Sequence, residues 1–324
     1  MYEIKERRFT RKADTQPWRA GMEFRTVALI GAGAVGAFFI RGLSNVLGNN
    51  FCVIAEGERA ERLREKGLVI NGEQVFPHVC TPEEATGADL ILITTKYNGF
   101  HEILDSVKLM TAPHTVVVSA LNGIDSEETL AEVIGEEHLL NAFMFVQSTR
   151  VGNTIDYNLD AKGLIFGDKN TPEKTSQADA LDRLLTKAGI AHRFSPDIYT
   201  EQWQKFALNI SNNLPQAILN VGFEAYIDSP HVRFIHDQLF DEAIRVAAAY
   251  GITIEYEENK HGRVRPDARF STLQDIDAGR PTEIDMFAGA LMRKADAVGI
   301  EVPYTTFAYH AIRVLEEKAE GKIC

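Results

Sequence analysis

The sequence predicts an α/β fold: an N-terminal doubly wound, mainly parallel sheet followed by an all-helical C-terminal domain. Three observations carry this expectation. Short β-branched runs alternate with helical stretches through the first half, which is the pattern of parallel strands joined by crossover helices. A glycine-rich turn stands directly between the first strand and the first helix, and from about Tyr199 the strand pattern stops and helical periodicity replaces it. A chain of 324 residues is long enough for two domains. The expected division is an extension over 1–23, a sheet domain over 24–196 and a helical domain over 197–324, with the boundary near Pro196.

Residues 1 to 23 hold six Lys/Arg but no apolar stretch suited to a signal peptide, and Glu3, Glu6 and Asp14 argue against a transit peptide. Met22, just ahead of the first strand, is an alternative start. Phe24 to Ile30 reads as the first strand, and Gly31-Ala32-Gly33-Ala34-Val35-Gly36 follows, continuing into a helix from Ala37. In that context each glycine has a physical task. Gly31 permits the tight turn, Gly33 lets a pyrophosphate approach the backbone, and Gly36 lets helix and strand pack closely. The unpaired N–H groups and partial positive charge of the helix N-terminus favour an anion there. This marks a Rossmann-type dinucleotide site. Phe51 to Ala55 is the next strand, and Glu56 follows it at the position that reads the ribose. A carboxylate there favours NAD(H), whereas Arg59 and Arg62 on the next helix are cations within possible reach of a 2′-phosphate.

Further strands are expected at Asp89–Thr94, Thr115–Ser119 and Leu139–Val146, with helices near Asn98–Val107 and Ser126–Ile134 between them. Lys96 and Asn122 follow two of these strands at their carboxyl ends, the edge where such sheets bind ligands. Taken singly, a surface lysine and an ordinary Asn-Gly turn are the favoured readings of the two. Thr154–Tyr157 and Gly163–Phe166 read as shorter, antiparallel strands ahead of a helix from Pro172 to Ala188.

The helical half opens with Trp203-Gln-Lys205-Phe-Ala-Leu-Asn209-Ile-Ser-Asn-Asn213. At about 100° per residue, Asn209 lies roughly 40° round from Lys205 and Asn213 roughly 80°, so a lysine and two amides share one side of an otherwise apolar helix. Asn212 lies closer still, roughly 20° the other way, so the angles alone do not choose between the two neighbouring amides. Pro215 predicts a kink or break, because it cannot bond back to the Ser211 carbonyl. Ser229 and Pro230 start a helix that runs to Tyr250 and closes at Gly251. Thr282 and Asp285 have the spacing of a capping box for a helix reaching Val298, with Glu283 in its first turn. The helix dipole there favours an ionised Glu283 unless burial outweighs it. The last helix is expected from Pro303 to about Glu320.

Lys205-x3-Asn209-x3-Asn213, followed by Ser271-x-x-Gln274-Asp275 and Thr282-Glu283-Ile284-Asp285, resembles the ketopantoate reductase family, as do the glycine turn, Lys96 and Asn122. The resemblance runs over about residues 24 to 316. It implies NADPH-dependent reduction of 2-dehydropantoate to (R)-pantoate, a step toward pantothenate and coenzyme A. It also implies roles: Lys205 as general acid, Glu283 as its acidic partner, and Asn209, Asn213 and Ser271 as substrate contacts. Asn122 would lie near the nicotinamide, Lys96 would contact the cofactor, and Asp275 would support the site. Two departures bear on specificity. Glu56 replaces an arginine common in the family, which keeps NAD(H) open beside NADP(H), and Val221-Gly222-Phe223 stands where some members supply another asparagine, with Asn220 close by. The alternatives are a reductase of another small 2-keto acid and a dinucleotide sensor without turnover.

Composition bounds the partners. Hydrophobic residues make up 45% and charged residues 25%, and no apolar run approaches the ~20 residues that cross a bilayer. A net charge of −12 opposes general nucleic-acid binding. Cys52, Cys80 and Cys324 have neither disulfide-framework nor zinc spacing, and His231 with His236 is poorly placed for one helical face, so no metal is expected. A cytoplasmic protein acting on a small 2-keto acid is the expectation, with a homodimer compatible.

Overall fold

The computed structural model describes residues 21–254 and 265–323; most of the N-terminal extension, 1–20, lies outside them. Strands β1 (Val27–Ile30), β2 (Phe51–Ile54), β3 (Leu68–Ile70), β4 (Glu73–Val75), β5 (Val79–Cys80), β6 (Leu90–Ile93), β7 (Val116–Ser119) and β8 (Leu139–Phe145) come first in the chain, then β9 (Ser148–Val151), β10 (Thr154–Tyr157), β11 (Gly163–Gly167) and β12 (His192–Phe194). The helices threaded between them are α1 (Ala37–Leu47), α2 (Gly57–Lys66), α3 (Leu104–Met110), α4 (Ser126–Ile134) and α5 (Ser176–Lys187).

An eight-stranded sheet has the order β12-β11-β8-β7-β6-β1-β2-β5. Its strands β5, β2, β1, β6, β7 and β8 pair in parallel, and β11 reverses against β8. All residues of β1, β2, β6 and β7 are buried, as expected where both faces of a parallel sheet are covered. Chain order reverses at β1, which has β2 on one side and β6 on the other. That is the switch point where α/β sheets bind ligands, and the glycine turn, Glu56, Lys96 and Asn122 all follow strands on this one carboxyl edge. A second, four-stranded sheet has the order β4-β3-β10-β9.

After β12 the described chain is helical: α6 (Ile198–Leu219), α7 (Ala225–Asp228), α8 (Pro230–Ala249), α9 (Ser271–Asp277), α10 (Ala290–Ala297) and α11 (Pro303–Ala319). Trp203, Phe206, Ile210 and Leu214 of α6 join Ile91, Ile93 and Val117 of the sheet in one buried cluster, so this core couples the helical region to one face of the sheet. The other face packs Phe39, Leu43, Leu181 and Leu185 from α1 and α5.

Three expectations need correction. The segment expected as a helix from Asn98 begins instead with two 3₁₀ turns over Tyr97–Gly99 and His101–Ile103, and only Leu104–Met110 is α-helical. Contacts to the helical region hold its first residues, as described below. Thr282 and Asp285 form no capping box. Glu316 takes the Thr282 N–H at 2.7 Å, Asp285 accepts from Tyr309, and Asp285–Gly289 winds as a π-helical turn ahead of α10. Finally, of the kink or break expected at Pro215, the break does not occur, and α6 continues through it. The Tyr226 hydroxyl donates to the Asn212 carbonyl and faces the Gln216 N–H, inserting into the rung that joins those residues in a regular helix.

Candidate active site

The glycine turn is closely packed at two of its three glycines and open at the third. Gly31 has φ +107°, and a Cβ there would lie 2.6 Å from the Thr95 nitrogen. At Gly36 a Cβ would meet the Gly31 carbonyl oxygen at 2.0 Å, so this close turn requires glycine. At Gly33 nothing lies within 4 Å of an added Cβ, which leaves the backbone open to a ligand. The Thr94 hydroxyl donates to the Gly31 carbonyl at 2.6 Å and fixes the turn. Gly33 and Ala37 use their N–H groups inside the turn, while those of Ala34, Val35 and Gly36 have no acceptor among the described residues. Three unpaired donors at the start of α1 fit a dinucleotide pyrophosphate. Glu56, the residue before α2, is exposed; its backbone carbonyl accepts from the Ala60 N–H, and its carboxylate makes no hydrogen bond among the described residues.

Lys205 projects from α6 to the end of the sheet. Its ammonium donates to Asn122 Oδ1 at 2.6 Å and to the Met144 carbonyl at 2.5 Å, and lies 5.3 and 5.2 Å from the ring centres of Phe143 and Phe145. No carboxylate pairs with it among the described residues. Burial therefore disfavours the charged form without a counter-ion, and the amine is pushed down from its ordinary value to about 7. The residue keeps partial solvent access, but protein atoms surround its ammonium end.

Asn209 follows one turn along α6 and makes no side-chain hydrogen bond among the described residues. A second turn on, Asn213 is 5% exposed and donates to Ser271 Oγ at 3.4 Å. Asn212, the alternative left open by helical angles, instead bonds its amide back to the Leu208 carbonyl at 2.8 Å. Eight residues at ~1.5 Å rise separate Lys205 from Asn213 by roughly 12 Å, with Asn209 between them. Asn220 ends α6 in the left-handed conformation at φ 53°, and its amide oxygen accepts from Arg269, itself paired with Asp277. It therefore serves the helix end.

Three consecutive residues after β6 tie the sheet to the helical region. Lys96 donates to both oxygens of Asp275 at 2.8 and 2.7 Å, and Arg280 bonds the same carboxylate at 2.9 Å. The Tyr97 N–H donates to Glu283 Oε1 at 2.9 Å, and the Asn98 amide donates to the Thr282 carbonyl at 3.1 Å. Asp275 thus joins Lys96 to Arg280, while Lys96 retains one of its three N–H donors.

Glu283 departs from expectation. Burial, and to a smaller extent Asp275, raise its pKa against the opposing influence of the Tyr97 N–H and Lys96. Burial outweighs the helix dipole, and the first turn of this helix is a π-turn rather than a capped α-turn. Glu283 forms no ion pair with Lys205, so the carboxylate does not offset the fall in the lysine pKa. Sequence reasoning also missed Tyr97. Its hydroxyl donates to Asp125 at 3.0 Å and accepts from Arg293 at 3.1 Å, while burial, with Asp125, pushes its pKa up to about 12. Nothing in a lone Lys-Tyr-Asn run signals that a backbone N–H will seat a distant carboxylate.

Comparison with known proteins gives a consistent picture. Residues 27–170 match the family model described as ketopantoate reductase PanE/ApbA, and residues 197–316 match its C-terminal model. A 2-dehydropantoate 2-reductase of Archaeoglobus fulgidus is 25% identical over 301 residues, covering 91% of this chain and 99% of that relative. The crystal structure of a PanE/ApbA family ketopantoate reductase from Ralstonia eutropha superposes with a TM-score of 0.80 at 25% identity, covering 91% of this chain and 99% of the other. A D-mandelate dehydrogenase in ternary complex with NADH and anilino(oxo)acetate shares the fold, with a TM-score of 0.80 at 23% identity and the same coverages.

Proposed function

Because the chain belongs to the ketopantoate reductase family, we propose that it reduces 2-dehydropantoate to (R)-pantoate, using a reduced nicotinamide dinucleotide and Lys205 as general acid. The observation that carries this reading is a desolvated lysine with a pKa of about 7, hydrogen-bonded to the side chain of Asn122 just past β7. The dinucleotide fits the open face of Gly33 and the free N–H groups of Ala34, Val35 and Gly36; when bound, it supplies the hydride. Lys96 and Asn122 stand on the same sheet edge to hold and orient it.

Hydride addition to a ketone places negative charge on the carbonyl oxygen. The Lys205 ammonium stabilises that charge and delivers the proton, and an acid with a pKa near 7 does so readily at neutral pH. Asn122 Oδ1, the Met144 carbonyl and the Phe143 and Phe145 rings hold the ammonium in place without neutralising it. Asn209, Asn213 and Ser271 supply neutral donors and acceptors for the carboxylate and hydroxyl of a small keto acid. Glu283 acts near this site from its seat on the Tyr97 N–H, rather than as an ion-pair partner of Lys205.

A second reading is reduction of another small 2-keto acid. Val221-Gly222-Phe223 lacks the further substrate asparagine, and the fold is shared with a mandelate dehydrogenase bound to NADH and an oxoacetate. Steady-state assays with 2-dehydropantoate and a panel of 2-keto acids decide between them. A kcat/KM highest for 2-dehydropantoate supports the first reading; turnover confined to another keto acid refutes it.

A further inference from the structure

Strand β8 loses a neighbour partway along its length. β7 pairs with it only at Leu139 and Leu140, while β11 accompanies its other side from Asn141 to Phe145. Backbone groups on the side where β7 has ended still need partners. Side chains supply them. Glu127 Oε1 accepts from the Ala142 N–H at 3.4 Å, Gln202 Nε2 donates to the Ala142 carbonyl at 3.0 Å, and Lys205 Nζ donates to the Met144 carbonyl at 2.5 Å. Gln202 and Lys205, three residues apart on α6, thus hold carbonyls two residues apart on β8. A helix advances about 4.5 Å over three residues and a strand about 6.8 Å over two, so two long side chains of one helix face can span both rungs. Gln202 is 3% exposed, and its amide is engaged on every side. Its Nε2 also donates to Glu127 Oε1 at 2.8 Å, and its Oε1 accepts from Asn141 at 3.0 Å. Glu127 accepts from Ser126, which accepts in turn from Ser119, and burial raises the Glu127 pKa against its hydrogen bonds. No cation pairs with Glu127 among the described residues, and the proposed reaction gives this buried carboxyl no part.

We infer that Gln202, locked by Glu127 and Asn141, is a positioning residue: it sets the register of α6 on β8 and so places the Lys205 ammonium. Sliding or turning α6 would leave the Gln202 and Asn141 amides and the Ala142 carbonyl unpaired away from water, so the cluster admits one arrangement. Lys205 cannot fix that register by itself, because its four-carbon stem is flexible. A proton donor must stand within hydrogen-bond reach of the oxygen it protonates, and a shift of about 1 Å is enough to cost on the order of a hundredfold in rate. Burial is the cause of the lowered Lys205 pKa. Neither Glu127, nor Glu201 paired with Arg193, nor Glu283, nor Lys162, whose ammonium lies 5.2 Å from the Phe145 ring centre, is among its causes. A lysine that leaves its seat on β8 therefore regains solvent and returns toward its ordinary value. The catalytic consequence rests on Lys205 as general acid, whereas the placement of its ammonium does not depend on which keto acid is reduced.

Acetylation of the full-length protein by trace acetic anhydride across pH, followed by mass spectrometry of the Lys205 peptide, tests the placement without turnover. The wild-type midpoint is expected at about 7, and Gln202→Met, which keeps an unbranched side chain and deletes the amide, raises it by about one unit or more toward 10.5. Val246→Ala, which opens a cavity at a buried position of α8, reports loss of stability alone and leaves the midpoint in place. Asn141→Ala deletes a single bond of the cluster and shifts the midpoint the same way, so it carries the test if Gln202→Met does not fold. In steady-state assays Gln202→Met lowers kcat about tenfold or more with dinucleotide affinity unchanged, and added to Lys205→Ala it lowers kcat no further. A midpoint that stays at the wild-type value in both variants overturns the inference. So does an equal shift in Val246→Ala, or a loss that multiplies in the double variant. Absence of keto-acid turnover counts only against the proposed reaction and leaves the acetylation midpoints to decide this one.

Discussion

Replacing Lys205 by methionine removes a desolvated ammonium while retaining an unbranched side chain of similar length. The amine falls from 10.5 in the unfolded chain to about 7 in the fold, so between those values the unfolded state binds the additional proton. Stability then rises with pH: the contribution is fully present above 10.5 and is lost as pH falls toward about 7. Each pH unit in that window corresponds to about 1.4 kcal/mol, or about 3 kcal/mol between pH 7 and 9. Partial solvent access to the residue reduces the expected figure to about 1–2 kcal/mol. Urea unfolding of wild type and Lys205→Met at several pH values reads the effect directly, because shared titrations cancel in the difference. The wild type should gain on the variant by that amount from pH 7 to 9. Turnover gives the same pKa independently, since kcat/KM for reduction should be level below about pH 7 and fall about tenfold per unit above it. Parallel stability curves together with a flat rate profile would show that the ammonium is solvated and would refute the reasoning.

The glycine turn supplies a paired prediction: Gly36→Ala should destabilise the protein by about 1–3 kcal/mol, because its Cβ would strike the Gly31 carbonyl. Gly33→Ala should melt close to the wild type yet lose dinucleotide affinity in a direct titration. Glu283 has a raised pKa, so its contribution to stability is present below 4.5 and is lost as pH rises through its folded value. Wild type should therefore lose ground to Glu283→Gln above pH 4.5 in matched denaturation curves. Asn213→Ala and Ser271→Ala should each raise KM for the keto acid about tenfold, with dinucleotide affinity unchanged by titration.

Much of this was legible in the chain because the signals are local. The strand, glycine turn and helix at Val27–Leu47 follow one another directly, and α4 occupies the span its sequence indicates. Lys205, Asn209 and Asn213 share a helix, so spacing alone sets them along one side. What escaped depends on tertiary partners. Strands β3, β4 and β5 are two or three residues long and too short for a two-residue period to show. The π-turn at Asp285 and the shortened α3 answer to Glu316, Tyr309 and the Tyr97–Glu283 contact, all distant in sequence. The back-bond of Asn212 to Leu208 and the approach of Asn213 to Ser271 are likewise not contained in helical angles. Gln202 lies 75 residues from Glu127, and no motif connects them.

The most direct test of the central claim, that Lys205 protonates the reduced keto acid, is turnover of 2-dehydropantoate by wild type and Lys205→Ala with NADPH and with NADH, alongside dinucleotide dissociation constants for both proteins. The wild type should oxidise cofactor, and the variant should lose about 10²–10⁴ in kcat with dinucleotide affinity near normal. A variant that remains almost fully active, or a wild type inert with both cofactors, would contradict the account.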